Sequence, residues 1–318
     1  MRPWEIALAA VFLVFCLVAG LVLGNNIAPA PTVGVVRFEG ELDTRAANAL
    51  ASLIESARQD ASVSAVVLEI LSPGGFATSS ESTFYSLLRL REQKPLVVVV
   101  DSLAASGGYY LAAAGDRIFA PASAFVGNVG TRGGRPSDPT IAPDELSTGP
   151  YKLEGGSRFD QIHQLQLSAD SFVKNVVAQR AASPVNPLKL TPDELAEARI
   201  YLGSEALAVG LIDAEGGRTE GIQEAAKLAG IGDYQVIDLA AAYGFGPATG
   251  APTDRLQQMV RTAPPGAIFM LDIRISLPEE TGSPSSTDLS SKRSRDAALA
   301  PNARAGTWLD RLPQLSAP

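Results

Sequence analysis

Ser106 stands in the run Ala104-Ala105-Ser106-Gly107-Gly108-Tyr109-Tyr110, directly after the apolar stretch Leu96-Val97-Val98-Val99-Val100-Asp101. A β-branched run reads as a buried strand, and the small residues after it let the backbone turn sharply into a helix. A serine at such a turn lies near a helix N-terminus, where backbone N–H groups lack an intrahelical partner and can hold a developing oxyanion. Taken alone, Ser106 reads as a helix cap. A second glycine turn, Ser72-Pro73-Gly74-Gly75, changes that reading, because it follows another strand, Ala65 to Ile70. Two parallel strands that end in glycine turns place two sets of free N–H groups on one sheet edge.

A serine hydroxyl is a weak nucleophile at its own pKa, so another group must take its proton. His163 is the only histidine, and it falls in a polar helical stretch, Phe159 to Arg180, where it reads as a solvated residue. Lysine is the natural substitute. Its free pKa is about 10.4, so work near pH 8 requires a depression of about two units, roughly 3 kcal/mol of differential interaction. Burial without a carboxylate partner supplies a shift of that kind. Lys94 is a local lysine, but it precedes the strand at Leu96 and so belongs at the end opposite the serine.

The elements that must position these groups alternate. Val33 to Phe38 reads as a strand, and Asp43 or Thr44 caps a helix whose Ala47, Leu50, Ile54 and Ala57 recur at spacings of three and four. The strand Ala65 to Ile70, the helix Ser79 to Arg91, the strand Leu96 to Val100 and the small-residue helix Tyr109 to Ala114 follow. Arg117 to Ala120 and Ala124 to Val126 are short strands that end at Gly127-Asn128-Val129-Gly130. Strands alternating with helices imply an α/β fold with parallel pairing and right-handed crossovers. Thr131 to Pro150 reads as a loop, and Gln161 to Arg180 as a helix. Thr191-Pro192-Asp193-Glu194 is a capping box with proline at the first helical position. Gly266 to Leu271 reads as one isolated strand, and Leu277 to Pro318 as a disordered tail of mixed charge.

Three segments result: 1–30, an anchor and short linker; 31–238, the folded domain; and 239–318, an extension rich in Pro, Ser and Ala, largely disordered. Ile6 to Gly24 carries no charge over 19 residues. As a helix that is about 28 Å, enough to cross a bilayer core of about 30 Å. Arg2 and the amino terminus on one side favour the N-terminus inside, so the rest of the chain is expected outside the cytoplasm. The alternative is a cleaved signal peptide with Ala28-Pro29-Ala30 as its small-residue site, but Pro31 would then follow the cut. A net charge of −8 and the lack of a basic stripe argue against a nucleic-acid partner. Cys16 is the only cysteine, so one chain can build neither a disulfide nor a thiolate metal site.

Together the residues read LEILSPGG, then KPLVVVVDSLAASGGYYLAAAGDRIFA, then GNVG. This ordered set resembles the signal peptide peptidase A family of serine proteases (peptidase family S49), relatives of the Clp protease. The resemblance runs from about Val33 to about Gly217, where GSEALAVGLIDAEGG is similar to the family's closing segment. It implies a Clp protease/crotonase-like spiral of ββα units. Ser106 falls on the family's nucleophile, and Lys152, in Thr148-Gly149-Pro150-Tyr151-Lys152 ahead of Gly155, Gly156 and Arg158, falls on its lysine base. The backbone N–H groups of Gly107 and of the Gly74-Gly75 turn fall on its oxyanion hole. Where the family usually has a serine that hydrogen-bonds the lysine, this chain has Asn128, whose side-chain carbonyl can accept the same bond.

The resemblance further implies a membrane-anchored endopeptidase that cleaves hydrophobic peptides such as released signal peptides. It calls for no metal or organic cofactor, and for a homo-oligomeric ring in which serine and lysine meet across subunits. Two other readings stand beside it. One is a ring-forming membrane scaffold that has lost activity, toward which Asn128 leans. The other is a crotonase-like acyl-CoA enzyme, which would bring general-acid carboxylates and an adenine site.

Overall fold

The apolar run at 96–100 becomes the middle of a parallel sheet, because its side chains alternate between two faces and are buried on both. In a computed structural model of the chain, residues 2–27, 30–135, 138, 146, 148–149, 151–152, 156–246, 248–249 and 268–271 are described. The chain divides into two units, Met1–Leu277 and Pro278–Pro318, and the second lies outside the described residues. The tail expected from Leu277 falls there.

In chain order, helix α1 (Pro3–Ile27) precedes β1 (Thr32–Glu39), α2 (Thr44–Gln59), β2 (Val63–Ser72), β3 (Gly74–Phe76), α3 (Ala77–Arg91), β4 (Leu96–Ala105) and α4 (Gly107–Ala112). Then come β5 (Arg117–Ala120), β6 (Phe125–Gly127), β7 (Arg132–Gly133), α5 (Arg158–Ala181), α6 (Pro192–Ala196), β8 (Ile200–Leu202) and α7 (Gly203–Val209). The chain continues through β9 (Ala214–Glu215), α8 (Arg218–Leu228), β10 (Gln235–Asp238), α9 (Leu239–Ala242), β11 (Ala248–Thr249) and β12 (Ile268–Leu271). Strands β10-β1-β2-β4-β5-β9 lie side by side in that order, and every pair among them is parallel. This is the α/β architecture expected from the alternating pattern. β6 adds parallel to the far end of β4, and β8 pairs antiparallel with β6.

Both sheet faces are covered, as a parallel sheet requires. On one face Val36, Leu68, Val98 and Val100 pack with α2, α3 and α4. On the other, Val35, Val67, Val97 and Val99 meet Ala225 and Ala226 of α8. The helical spacing read in α2 holds: Ala47, Leu50, Ile54 and Ala57 are all buried, and Asp43 accepts the Ala46 N–H at 2.7 Å as its cap. Thr191 and Glu194 form the expected capping box, with Pro192 opening α6. In the closing segment α7 ends at Gly210, whose φ of 83° is the left-handed value that glycine adopts without strain.

One irregularity in the sheet decides where Ser106 goes. β2 and β4 run in register as far as Ile70↔Val100, and the next pair is Ser72↔Ala104. The extra residues on β4 leave Asp101 and Ser102 exposed and bend the strand end. Ala104 and Ala105 then pair with Val126 and Gly127 of β6.

Three expectations need correction. The glycine turn after β2 is itself a strand, β3, and part of the segment read as a loop, Arg132–Gly133, is β7. The strand read as isolated is not isolated: β12 lies antiparallel between β3 and β7, forming a second, three-stranded sheet. Two- and three-residue strands rich in glycine have little propensity of their own, so only the distant partner makes them visible. The rest of the 131–150 segment lies largely outside the described residues. Past Asp238, α9 carries the fully buried Leu239, and β11 pairs with Phe38 and Glu39 of β1.

α1 spans the whole apolar run expected at 6–24, with Leu8, Phe12, Phe15 and Val18 exposed. Among the described residues no helix is long and apolar enough to cross a membrane; the side chains of 5–7 and 21–27 lie outside that set.

Candidate active site

Ser106 joins the buried end of β4 to α4 and is itself 1% exposed. Its backbone sits at φ 53°, ψ −120°, a combination that costs a non-glycine residue of order 1–3 kcal/mol. Two main-chain bonds hold it there: its N–H donates to Gly127 O at 2.8 Å, and its carbonyl accepts the Tyr110 N–H at 2.9 Å. The side chain does not cap α4. Instead Oγ points toward the Gly130 carbonyl at 3.5 Å, a long and weak contact. A serine doing only a cap's work would bond the N–H groups of the helix it precedes, and this one leaves them free.

The two glycine turns meet at this point. A Cβ on Gly107 would lie 2.3 Å from Ser80 Oγ and 3.2 Å from the Gly75 nitrogen, and one on Gly108 would lie 2.6 Å from Ser72 O. A Cβ on Gly75 would strike Leu42 O at 2.2 Å. Only glycine lets these backbones approach so closely. The Gly107 N–H has no hydrogen-bond partner among the described residues. The Gly74 N–H is engaged by Ser72 Oγ at 3.2 Å, and Ser72 Oγ in turn donates to Gly40 O at 2.7 Å. Gly75 is in register with Met270 of β12.

Asn128 is half-buried at φ 57°. Its N–H donates to Arg199 O at 2.7 Å and its Nδ2 to Ala198 O at 2.9 Å, so the segment before β8 braces the turn that holds Ser106. Its side-chain oxygen makes no hydrogen bond among the described residues. Lys152 is exposed in a turn, its N–H donating to Gly149 O at 3.1 Å, and no hydrogen bond joins it to Ser106. The structure therefore brings Ser106, Gly74, Gly75, Gly107 and the Asn128 turn together, and among the described residues no hydrogen bond joins Lys152 to any of them.

The other two candidate bases separate cleanly. Lys94 lies at the start of β4, its Nζ donating to Ala57 O at 2.7 Å and also to the Asp60 carbonyl. Burial lowers its pKa, against the pull of nearby Asp60. At about 3.3 Å per residue the length of β4 divides it from Ser106. His163 is exposed on α5, as expected of a solvated residue.

Sequence reasoning missed Glu41. It is 1% exposed, neither carboxylate oxygen is hydrogen-bonded among the described residues, and burial, aided by the nearby Asp43 charge, pushes its pKa up to about 7. It immediately precedes Leu42, which exchanges hydrogen bonds with Gly74 and Phe76. Gly40-Glu41-Leu42-Asp43 looks like an ordinary solvated turn in the sequence, with nothing to mark the carboxylate as buried. A separate cavity of about 380 Å³, lined by Arg37, Glu69, Val99, Asp101 and Arg218 among others, includes none of the site residues.

A strained serine between a buried parallel strand and a short helix, beside a free N–H and a second glycine turn, defines an α/β protein with a site suited to acyl transfer. Comparison with known proteins agrees. The pattern of Peptidase family S49 matches residues 89–136, the stretch that holds β4, Ser106 and the Asn128 turn. Protease 4 of Haemophilus influenzae is 30% identical over 222 residues, covering 64% of this chain and 35% of its own length. Protease 4 of Salmonella typhi is 31% identical over 192 residues (56% and 30%), and the chloroplastic serine protease SPPA of Arabidopsis thaliana is 29% identical over 220 residues (62% and 31%). The chain spans about a third of the length of each of these relatives. These similarities support the resemblance to peptidase family S49 that the ordered motifs carry.

Proposed function

We propose that this chain is a membrane-anchored serine endopeptidase that cleaves hydrophobic peptides of the released signal-peptide kind. Ser106 is its nucleophile. The observation that carries this reading is the Ser106 turn itself: buried, strained, uncapped and packed through Gly107 on the Gly75 turn. Lysine at 152 takes the Ser106 proton, the alkoxide attacks a peptide carbonyl, and backbone N–H groups hold the oxyanion. The protonated lysine then donates to the leaving amine, and water releases the acyl-enzyme.

Of the N–H groups expected for the oxyanion, that of Gly107 has no partner among the described residues, so it is the principal donor. Asn128 presents an unengaged side-chain oxygen, which suits it to orient the lysine. The exposed position of Lys152, without a bond to its own Ser106, supports its service to a neighbouring copy in a homo-oligomeric ring. The Clp protease-like spiral supplies the frame for such a ring. The uncharged run at 6–24, helical in α1, supports a single membrane anchor with the protease domain outside the cytoplasm.

The test is hydrolysis of an apolar peptide by the full chain in detergent, beside Ser106→Ala and Lys152→Ala chains, separately and mixed. Both variants are expected to be inactive, and the mixture to recover part of the activity, because a mixed ring contains some intact sites. Activity surviving Lys152→Ala would assign the base elsewhere. No hydrolysis by any chain, with no fluorophosphonate labelling of the wild type, would leave the non-catalytic ring scaffold.

A further inference from the structure

The three-stranded sheet lies against the candidate site on both of its outer strands. β3 is the Gly74-Gly75 turn, within 3.2 Å of a Cβ built on Gly107. β7 begins at Arg132, two residues beyond Gly130, whose carbonyl faces Ser106 Oγ. Between these edges runs β12, antiparallel to both, with Leu271 opposite Gly74, Met270 opposite Gly75, Phe269 opposite Phe76 and Arg132, and Ile268 opposite Gly133. β12 has no partner in the nine-stranded sheet. Among the described residues its whole pairing is with two short edges that converge on Ser106.

An unpaired strand edge binds an extended peptide through main-chain hydrogen bonds, and does so with little regard to its sequence. Two facing edges make a slot that satisfies both sides of such a peptide. The occupant here, Ile-Phe-Met-Leu, is a continuous apolar run within an extension otherwise rich in Pro, Gly, Ser and Thr. We infer that Ile268–Leu271 is a resident, substrate-like strand that closes the peptide slot of this chain's own serine site. The inference rests on the reading of Ser106 as the nucleophile, and adds to it how access to that serine is controlled. A peptide to be cleaved must displace β12 and take its direction, antiparallel to β3.

Tethering makes even a weak strand effective. A strand in the same chain as its slot meets it at an effective concentration of order mM. For an intrinsic Kd of about 0.1 mM, the slot is then open about a tenth of the time. Releasing the strand is expected to speed reaction at Ser106 about tenfold.

The experiment uses the full chain with Phe269→Pro and Met270→Pro together, which removes two N–H donors and fixes two φ angles in β12. Two readouts are followed in wild type and variant: the rate of fluorophosphonate labelling of Ser106, and amide hydrogen exchange at Gly75 and Gly133. Faster labelling and faster exchange at these amides are expected in the variant. A synthetic peptide of residues 266–272 added to the variant is expected to slow labelling again. Equal labelling rates and unchanged exchange in the two chains would overturn the inference. If neither chain labels, the nucleophile reading fails, yet exchange at Gly75 and Gly133 still decides whether β12 holds the slot.

Discussion

At Asp213 both side-chain oxygens have partners; at Ser106 the side chain has almost none. Asp213, 5% exposed, accepts from both terminal nitrogens of Arg180 at 2.9 Å, from Ile118 N at 2.8 Å and from Ser183 Oγ at 2.6 Å. Arg180 adds bonds to Gly210 O and Asn186 O, tying α5 to β5 and to the end of α7. Ser106 is more deeply buried, yet its hydroxyl has only the 3.5 Å approach to Gly130 O and its backbone holds a strained φ. A satisfied buried network rigidifies a fold, whereas strain and unspent hydrogen-bonding capacity persist only where surrounding structure enforces them. The Arg180–Asp213 pair is thus part of what fixes the scaffold, and the Ser106 turn is what the scaffold holds ready.

Breaking each position should have opposite signatures. The largest effect belongs to Ser106. Ser106→Gly is expected to cut hydrolysis at least about 10³-fold. The same change should stabilise the chain by about 1 kcal/mol, because glycine accepts φ 53° without strain. Activity assays and urea melts on one preparation measure both, and a clear loss of stability would mean that the turn is not strained.

Next comes Asp213→Ala, which strands the buried Arg180 charge and should cost about 3–5 kcal/mol in urea unfolding. A loss below about 1 kcal/mol would erase the contrast with Ser106.

Glu41 offers an intermediate case, buried and unsatisfied among the described residues, with no role assigned in the chemistry. Its folded pKa of about 7 stands above the ordinary 4.5, so the folded chain binds more protons between these values. Stability therefore falls as pH rises through that window, and the full cost of the buried charge, roughly 3 kcal/mol, is present above it. Glu41→Gln should stabilise the chain by about 2 kcal/mol at pH 8 and by little at pH 4.5, since an uncharged amide at this site remains unpaired. Melts across that pH range check it; a gain independent of pH would contradict the assignment.

The smallest effect is expected at Asn128. Asn128→Ala removes the bond to Ala198 O and the free acceptor, costing about 1 kcal/mol of stability and about tenfold in kcat. A kcat unchanged beside that loss would confine Asn128 to bracing the turn.

Legibility in the sequence divides along similar lines. The strand under Ser106 was plain, because five consecutive residues at 96–100 can only be buried on both faces. The serine turn, the Asp43 cap and the Thr191 capping box were plain too, since each is written within four residues. What could not be read depends on partners far along the chain. β3 and β7 are glycine-bearing pieces that become strands only against Ile268–Leu271, and the burial of Glu41 follows from packing around the Gly74–Phe76 segment that Leu42 joins. The displacement of β4 between Val100 and Ala104, which sets Ser106 beside Gly127, likewise has no local signal. Lys152 was legible only through its motif, and its exposed place in one chain is a fact the sequence did not contain.

The most direct test is to treat the full chain with a fluorophosphonate until reaction is complete, and to locate the label by mass spectrometry of its peptides. One label per chain, on Ser106 and absent from Ser106→Gly, is the expected result. A chain that stays unlabelled, or that carries the label on another serine, would contradict the assignment of Ser106 as nucleophile.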